Sequence, residues 1–273
     1  MFFVDRDKCI ACMQCIKDCP TADIILKDEK AHVKNEACIK CGHCIAICPV
    51  RAVATDDYDM NEVSLYDEAS FQIEPERLLN FIKFRRSVRR FLKKPVEKEK
   101  LEAIIEAGRF TQTGTNRQDV SYIVIEEEMA RIKEMTYDIL KQKGEYILQH
   151  LSPETAHLER YGRLWVKMHE AYHSDKDKYD RLFCHAPAAI LVVSEDIMDG
   201  CLASSNMELM TDALGLGTYF NGFFQVAVKD NPALIKTLGI PEGKQLVSCM
   251  VIGYPAVAYK RTVPRKKPEI VWH

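Results

Sequence analysis

Eight cysteines fall before residue 49 in two copies of one spacing, Cys9-x2-Cys12-x2-Cys15-x3-Cys19-Pro20 and Cys38-x2-Cys41-x2-Cys44-x3-Cys48-Pro49, so that every cysteine recurs 29 residues later. Such a repeat implies two similar half-units related by a pseudo-twofold axis, neither able to bury a core alone. Each half is expected to hold a short strand and a short helix, as the pairs MFFVD/AHVKN and IILKD/RAVAT suggest. The spacing has a chemical reason. Three thiolates in C-x2-C-x2-C wrap one cubic 4Fe-4S cluster, while the fourth, before proline, points toward the other cluster. The expected ligand sets therefore interleave, Cys9, Cys12, Cys15 and Cys48 on one cluster and Cys38, Cys41, Cys44 and Cys19 on the other. Pro20 and Pro49 end the short helices and redirect the chain. A zinc ribbon has a longer gap between two C-x2-C pairs, and a disulfide framework needs an oxidising compartment. Cys184, Cys201 and Cys249 are scattered and read as small buried apolar side chains.

The chain has 273 residues, 47% hydrophobic and 29% charged, with a net charge of −2. That suits a small module plus a larger globular core and argues against extended disorder and a dedicated nucleic-acid binder. No apolar run approaches a membrane span, the longest being 186–193, and MFFVDRDKC lacks a signal-peptide layout, so a cytoplasmic location is expected. Residues 1–58 carry nine acidic and eight basic side chains. Electrostatic steering is then weak, which fits a module tethered to its electron acceptor rather than one that diffuses to it.

Residues 58–75 are polar and acidic without a sustained period and read as a linker. Beyond them, helical stripes run through Leu78, Leu79, Phe81 and Ile82 and through Leu101, Ile104 and Ile105, the second stopping at Gly108. Strands are expected at 120–125, 189–193, 218–220 and 245–252, and helices at 126–143, 154–173 and 200–214, an α+β layout. Three stretches carry chemistry. KFRRSVRRFLKK, residues 83–94, has seven basic side chains in twelve positions, with a serine hydroxyl among forked donors suited to a phosphate monoester. RFTQTGTNRQ, 109–118, offers small and amide side chains for a planar polar ring. GLGTYFNGFF, 215–224, brings backbone donors at Asn221 and Gly222, yet lacks the strand-turn-helix setting of a dinucleotide fingerprint. Leu158, Tyr161, Trp165, Met168 and Tyr172 form a helical stripe read as packing, with a substrate lid as the sharper alternative; His157, His169 and His173 read as solvated or packing histidines.

Residues 1–57 resemble the dicluster ferredoxins of bacteria, and residues 76–273 resemble the FMN-dependent nitroreductase family on these three stretches and the tail YKRTVPRKKPEI. The whole resembles ferredoxin-nitroreductase fusions. The resemblance implies a small ferredoxin-like domain followed by a three-layer α/β/α domain with a mainly antiparallel sheet. It implies that Arg85, Arg86, Ser87, Arg89 and Arg265, the last preferred to Arg261, hold FMN. It implies that Thr113, Gly114, Thr115 and Asn116 reach the flavin of the other subunit of a homodimer, and that Asn221 and Gly222 present N–H groups to the ring edge. The implied activity passes electrons through two 4Fe-4S clusters to FMN and on to a small acceptor such as a nitroaromatic, quinone or activated alkene. NAD(P)H or a reduced ferredoxin is the donor, and no side chain is expected to act as a catalytic nucleophile. The alternative is a non-catalytic relay or redox sensor serving a partner protein.

Overall fold

The 29-residue repeat reappears in the backbone of the computed structural model, which describes residues 1–273. β1 (Phe2–Val4), α1 (Gln14–Asp18) and β2 (Ile24–Lys27) are followed by their equivalents β3 (Lys30–Val33), α2 (His43–Ala46) and β4 (Val53–Thr55). Strands pair across the halves. β1 lies antiparallel to β4 with Phe2 opposite Thr55, and β2 lies antiparallel to β3 with Leu26 opposite Ala31, the same register one repeat apart. Left-handed residues obey the repeat as well: Ala11 and Lys40 (φ 55 and 57), Met13 and Gly42 (φ 59 and 75), Ala22 and Arg51 (φ 52 and 53). Five of these six have a Cβ, so the conformation carries a steric cost that the surrounding loop must offset. Phe2, Ile24, Ala31, Val33, Ala52 and Val53 form a thin core with the buried Cys9, Cys15 and Cys44. Beyond it, the acidic stretch forms a turn at Met60–Glu62 capped by Asp59 and a short α3 (Glu68–Phe71) capped by Asp67, with no buried residue in either. These residues make one compact unit, Met1–Glu74, which also includes Thr113–Arg117.

The second unit comprises 75–112 and 118–273. It opens with α4 (Pro75–Phe84) and α5 (Lys98–Arg109), then β5 (Ser121–Ile125), α6 (Met129–Gln149), α7 (Glu159–Ser174), β6 (Ala188–Ser194) and α8 (Ile197–Ala213). β7 (Gly217–Phe220), α9 (Gly222–Val228), α10 (Pro232–Leu238) and β8 (Gln245–Gly253) complete it. The sheet runs β5-β6-β8-β7 with every pair antiparallel. β6 is buried along its whole length, and its alternation divides the core. Ala188, Ile190 and Val192 pack with Leu101 of α5 and Met207 of α8, whereas Ala189 and Leu191 pack with Tyr137 of α6, Trp165 of α7 and Phe224 of α9. Helices thus cover both faces, the three-layer α/β/α arrangement. Trp165, Met168 and Tyr172 are in that core, so the packing reading of their stripe holds for these three.

Two glycines of this unit serve close approach, and the first also lies at a helix end, since α5 stops one residue past Gly108. At Gly108 a Cβ would lie 2.6 Å from the Tyr122 hydroxyl and 2.9 Å from the Met207 sulfur. α6 runs six residues past 143, through Gly144, where a Cβ would lie 2.7 Å from the Gly162 carbonyl oxygen of α7. Helix propensity favours alanine over glycine by about 1 kcal/mol, but a backbone oxygen cannot swing aside. Gly144→Ala is therefore expected to lower stability by a net of about 1–2 kcal/mol as α6 and α7 separate, measured by denaturant unfolding. Gly222→Ala, whose Cβ would meet nothing within 4 Å, serves as the control with little change.

Candidate functional site

In the first unit the eight cysteines sort by cavity. Cys9, Cys12, Cys15 and Cys48 line one, together with Val4, Ala31 and Val53. Cys19, Cys38, Cys41 and Cys44 line the other, together with Phe2, Ile24 and Val33. Each cavity takes three cysteines from one half and the fourth from the other half. None of the eight is paired in a disulfide. The two fourth cysteines receive equivalent backbone donors, Asp23 N–H to Cys19 Sγ at 3.3 Å and Ala52 N–H to Cys48 Sγ at 3.2 Å. Burial pushes the Cys44 thiol up to about 12, and Cys38 and Cys41 add to the rise by opposing a further negative charge. Burial likewise raises Cys15, with Cys12, Cys48 and Cys9 adding to it. Thiols gathered this closely suit a cationic centre that takes all four as thiolates. Asn116 donates its side-chain amide to the Ile39 and Lys40 carbonyls at 3.0 and 2.9 Å, on the loop between Cys38 and Cys41. Thr115 and Asn116 are left-handed, φ 52 and 56.

The second unit contains a cavity of about 1010 Å³. Three elements build its walls. The basic stretch crosses the end of the sheet, where Val88 N–H donates to Thr218 O at 2.9 Å, and Ala256 N–H donates to Arg90 O at 2.8 Å. This brings Arg89 and Arg90 to the cavity, with the Arg89 guanidinium 5.1 Å from the centre of the Tyr219 ring. The turn between β7 and α9 contributes Asn221 and Gly222. α7 contributes Lys167, Met168 and Ala171, and the following loop Lys178, Asp180, Arg181, Cys184 and His185. The lining therefore carries many cations and a single carboxylate, Asp180, which the Lys133 ammonium meets at 2.6 Å. Such a lining favours an anionic ligand.

Of the residues expected to contact a flavin, Arg89, Asn221 and Gly222 share this cavity. Asn221 has most of its hydrogen bonds committed. Its N–H donates to Cys249 O at 2.8 Å, its side-chain amide donates to Leu182 O at 2.7 Å, and its Oδ1 caps α9 by accepting from Phe224 N–H at 3.1 Å. Gly222, as the first residue of α9, has an N–H with no acceptor within the helix. Arg85 is instead ion-paired at 2.5 Å with the nearly buried Glu208 of α8. Arg86 is half-buried and Ser87 exposed. Arg265 is exposed and donates only to the carbonyl of Pro264. Thr113, Gly114, Thr115 and Asn116 belong to the first unit.

Three acids went unread in the sequence. Glu208 and Asp212 stand four apart on α8, a spacing that puts both on one helix face. Burial raises Asp212 to about 6, the Glu208 charge adds to this and Arg85 opposes it. Asp180 holds the cavity loop: it accepts from the Phe183 and His185 N–H groups at 2.9 and 3.0 Å, beside the successive left-handed residues Cys184 and His185 (φ 54 and 57). Burial opposes the Asp180 charge, but Lys133 and the backbone donors outweigh it and hold the carboxyl below its usual range.

These acids act oppositely on stability. The depressed Asp180 contributes fully above the ordinary carboxylate range and loses that contribution as pH falls through its lower folded value. Asp180→Ala leaves Lys133 unpaired and is expected to cost about 3–5 kcal/mol at pH 7, less in strong acid, measured by urea unfolding. For the raised Asp212, stability present below the ordinary carboxylate range is lost as pH rises through about 6. Asp212→Asn is therefore expected to stabilise by roughly 1–3 kcal/mol at pH 8 and to change little at pH 4, read in the same assay.

Family models match the chain at two places, the Nitroreductase family over residues 82–254 and a 4Fe-4S dicluster domain over residues 1–49. No curated protein matches it. Among solved structures, it is similar to an FMN-bound nitroreductase from Bacteroides fragilis, with 23% identity, a TM-score of 0.54 and coverage of 71% of this chain and 98% of that one. An FMN-bound nitroreductase from Desulfitobacterium hafniense gives 21%, 0.51, 73% and 100%. An iodotyrosine deiodinase bound to FMN and 3-iodo-L-tyrosine gives 20%, 0.51, 72% and 98%. At these identities the likeness is one of fold. No helix is long and apolar enough to cross a membrane.

Proposed function

Because this chain belongs to the nitroreductase family, with a 4Fe-4S dicluster domain ahead of the family core, we propose that it is an FMN-dependent oxidoreductase that takes electrons through two clusters to reduce a small acceptor. The observation that carries this reading is the sorting of eight thiols into two quartets, each completed by a cysteine from the other half of the repeat. Cys9, Cys12, Cys15 and Cys48 would hold one cluster and Cys19, Cys38, Cys41 and Cys44 the other. The solved relatives named above contain FMN, and the cavity of the second unit fits such a group in size and sign. When bound, FMN exchanges electrons singly or in pairs and so joins one-electron clusters to a two-electron reduction.

The residues of this chain would bind and orient. The Gly222 N–H is an open donor for the electron-rich edge of a reduced ring, and Asn221 keeps the turn rigid through its three bonds. Arg85, Arg86, Ser87 and Arg89 are proposed to carry the phosphate and ribityl chain, with the Arg85–Glu208 pair fixing the start of that segment. Arg265, exposed on the tail, would join them by closing over the phosphate. Tyr219 supports Arg89 from below. A homodimer is proposed, since the α4 stripe is uncovered within the chain: Leu78, Leu79, Ile82 and Phe84 are all exposed. Thr113, Gly114, Thr115 and Asn116 would reach the flavin bound mainly by the other subunit of that dimer, and the Asn116 amide anchors that segment to the second cysteine loop.

Anaerobic titration with NADH, NADPH and reduced ferredoxin, followed by absorbance and electron paramagnetic resonance, is expected to fill the clusters and a flavin and to support turnover of a nitroaromatic or quinone. Asn116→Ala is expected to slow flavin reduction by cluster-routed electrons while iron content is unchanged. A protein that holds both cofactors yet reduces no small acceptor with any donor would be a relay for a partner protein instead.

A further inference from the structure

Two antiparallel helices of the second unit bring a group of metal-ligating side chains together away from the cavity. On α7, His169 and His173 are four residues apart, which puts both imidazoles on one face, and their rings stack at 4.0 Å. On α6, Glu134 and Asp138 are spaced in the same way. The faces meet: His169 Nε2 is 2.9 Å from Asp138 Oδ1, and His173 Nε2 is 3.2 Å from Glu134 Oε2. One ligand atom each from Asp138, His169 and His173 lies within 4.8 Å of the others.

We propose that Asp138, His169 and His173, with Glu134 as fourth donor, form a site for a divalent transition metal of the zinc class, which clips α6 to α7. Two imidazole nitrogens and two carboxylate oxygens make a donor set that zinc accepts in four-coordinate geometry. Bonds of about 2.0–2.2 Å put the ligand atoms on a sphere roughly 4 Å across, so the side chains need only small rotations to close on an ion. An outer partner is already present. His173 Nδ1 is 3.1 Å from the His169 carbonyl oxygen, which holds the proton on Nδ1 and leaves Nε2 free to bind a metal. Lys176 engages the other oxygen of Glu134, orienting Oε2 toward His173.

The clip would act on a joint the fold has already tightened. Gly144 and Gly162 bring α6 and α7 into backbone contact at one end of the pair, while Tyr137, stacked on Tyr172 at 4.2 Å, lies between Glu134 and Asp138 at the other. The metal would add to the hold at that other end. As α7 also supplies Lys167, Met168 and Ala171 to the cavity, occupancy would stiffen that wall.

The test uses the full chain with its iron content measured, so that vacant cysteine sites are accounted for. Zinc chloride is titrated by calorimetry, and retained zinc is counted after gel filtration. The proposal expects one zinc per chain beyond that explained by cysteine, and a melting temperature raised by zinc. His169→Ala/His173→Ala should abolish both effects while keeping the helical circular dichroism. Asp138→Asn, at an exposed position, should weaken binding by at least the roughly 10- to 100-fold that loss of an outer-shell partner costs. This second variant decides the matter if the double variant fails to fold. Zinc binding unchanged in these variants, or none at millimolar zinc, overturns the proposal.

Discussion

The first unit depends on the convergence of four thiols on each of two small cavities. Without a cation this arrangement is poor chemistry. Burial and neighbouring sulfurs raise Cys15 and Cys44, and the loops that deliver them use left-handed backbone at Ala11, Met13 and Lys40. The apolar core around them is thin, with Phe2 and Val53 its most deeply buried large side chains. A unit of this size with so little buried surface needs a staple, and the cysteine quartets are the natural one. The crossed strand pairing follows the same logic, since it puts the end of each half against the start of the other and brings the fourth cysteine across.

The second unit rests on a different constraint. β6 is apolar on both faces, and a strand of that kind is stable only inside a sheet covered on both sides. α5 and α8 cover one face, while α6, α7 and α9 cover the other. The cavity then forms at the edge of that packing, where β7 turns into α9 and the basic segment crosses the ends of β7 and β8. Its charge follows from which side chains have partners. Its one carboxylate, Asp180, is paired with Lys133, so Arg89, Arg90, Lys167, Lys178 and Arg181 leave the lining cationic.

Much of the fold was legible because its signals are local. The four expected strands differ from those found by no more than a residue at either end, since alternating β-branched runs leave little freedom of assignment. Helix ends were less legible. The stop at Gly108 is met to within a residue, but α6 runs to Gln149 rather than 143, and the need for glycine at 144 lies in Gly162, on the next helix. The short helices α9 and α10, seven residues each, are too brief for a sustained period, though Asn231, Pro232 and Gly239 bracket α10 with local cap signals that went unread.

The sequence by itself determined the repeat, the interleaved grouping of its cysteines, the α+β class and the basic segment, because spacing and periodicity act between near neighbours. Only the tertiary structure decided that Glu208 claims Arg85 across 123 residues, that Asp180 braces a left-handed loop, and that the histidines of α7 face carboxylates of α6. Those pairings depend on which helix faces meet when the two sides of the sheet are covered. No local spacing encodes them.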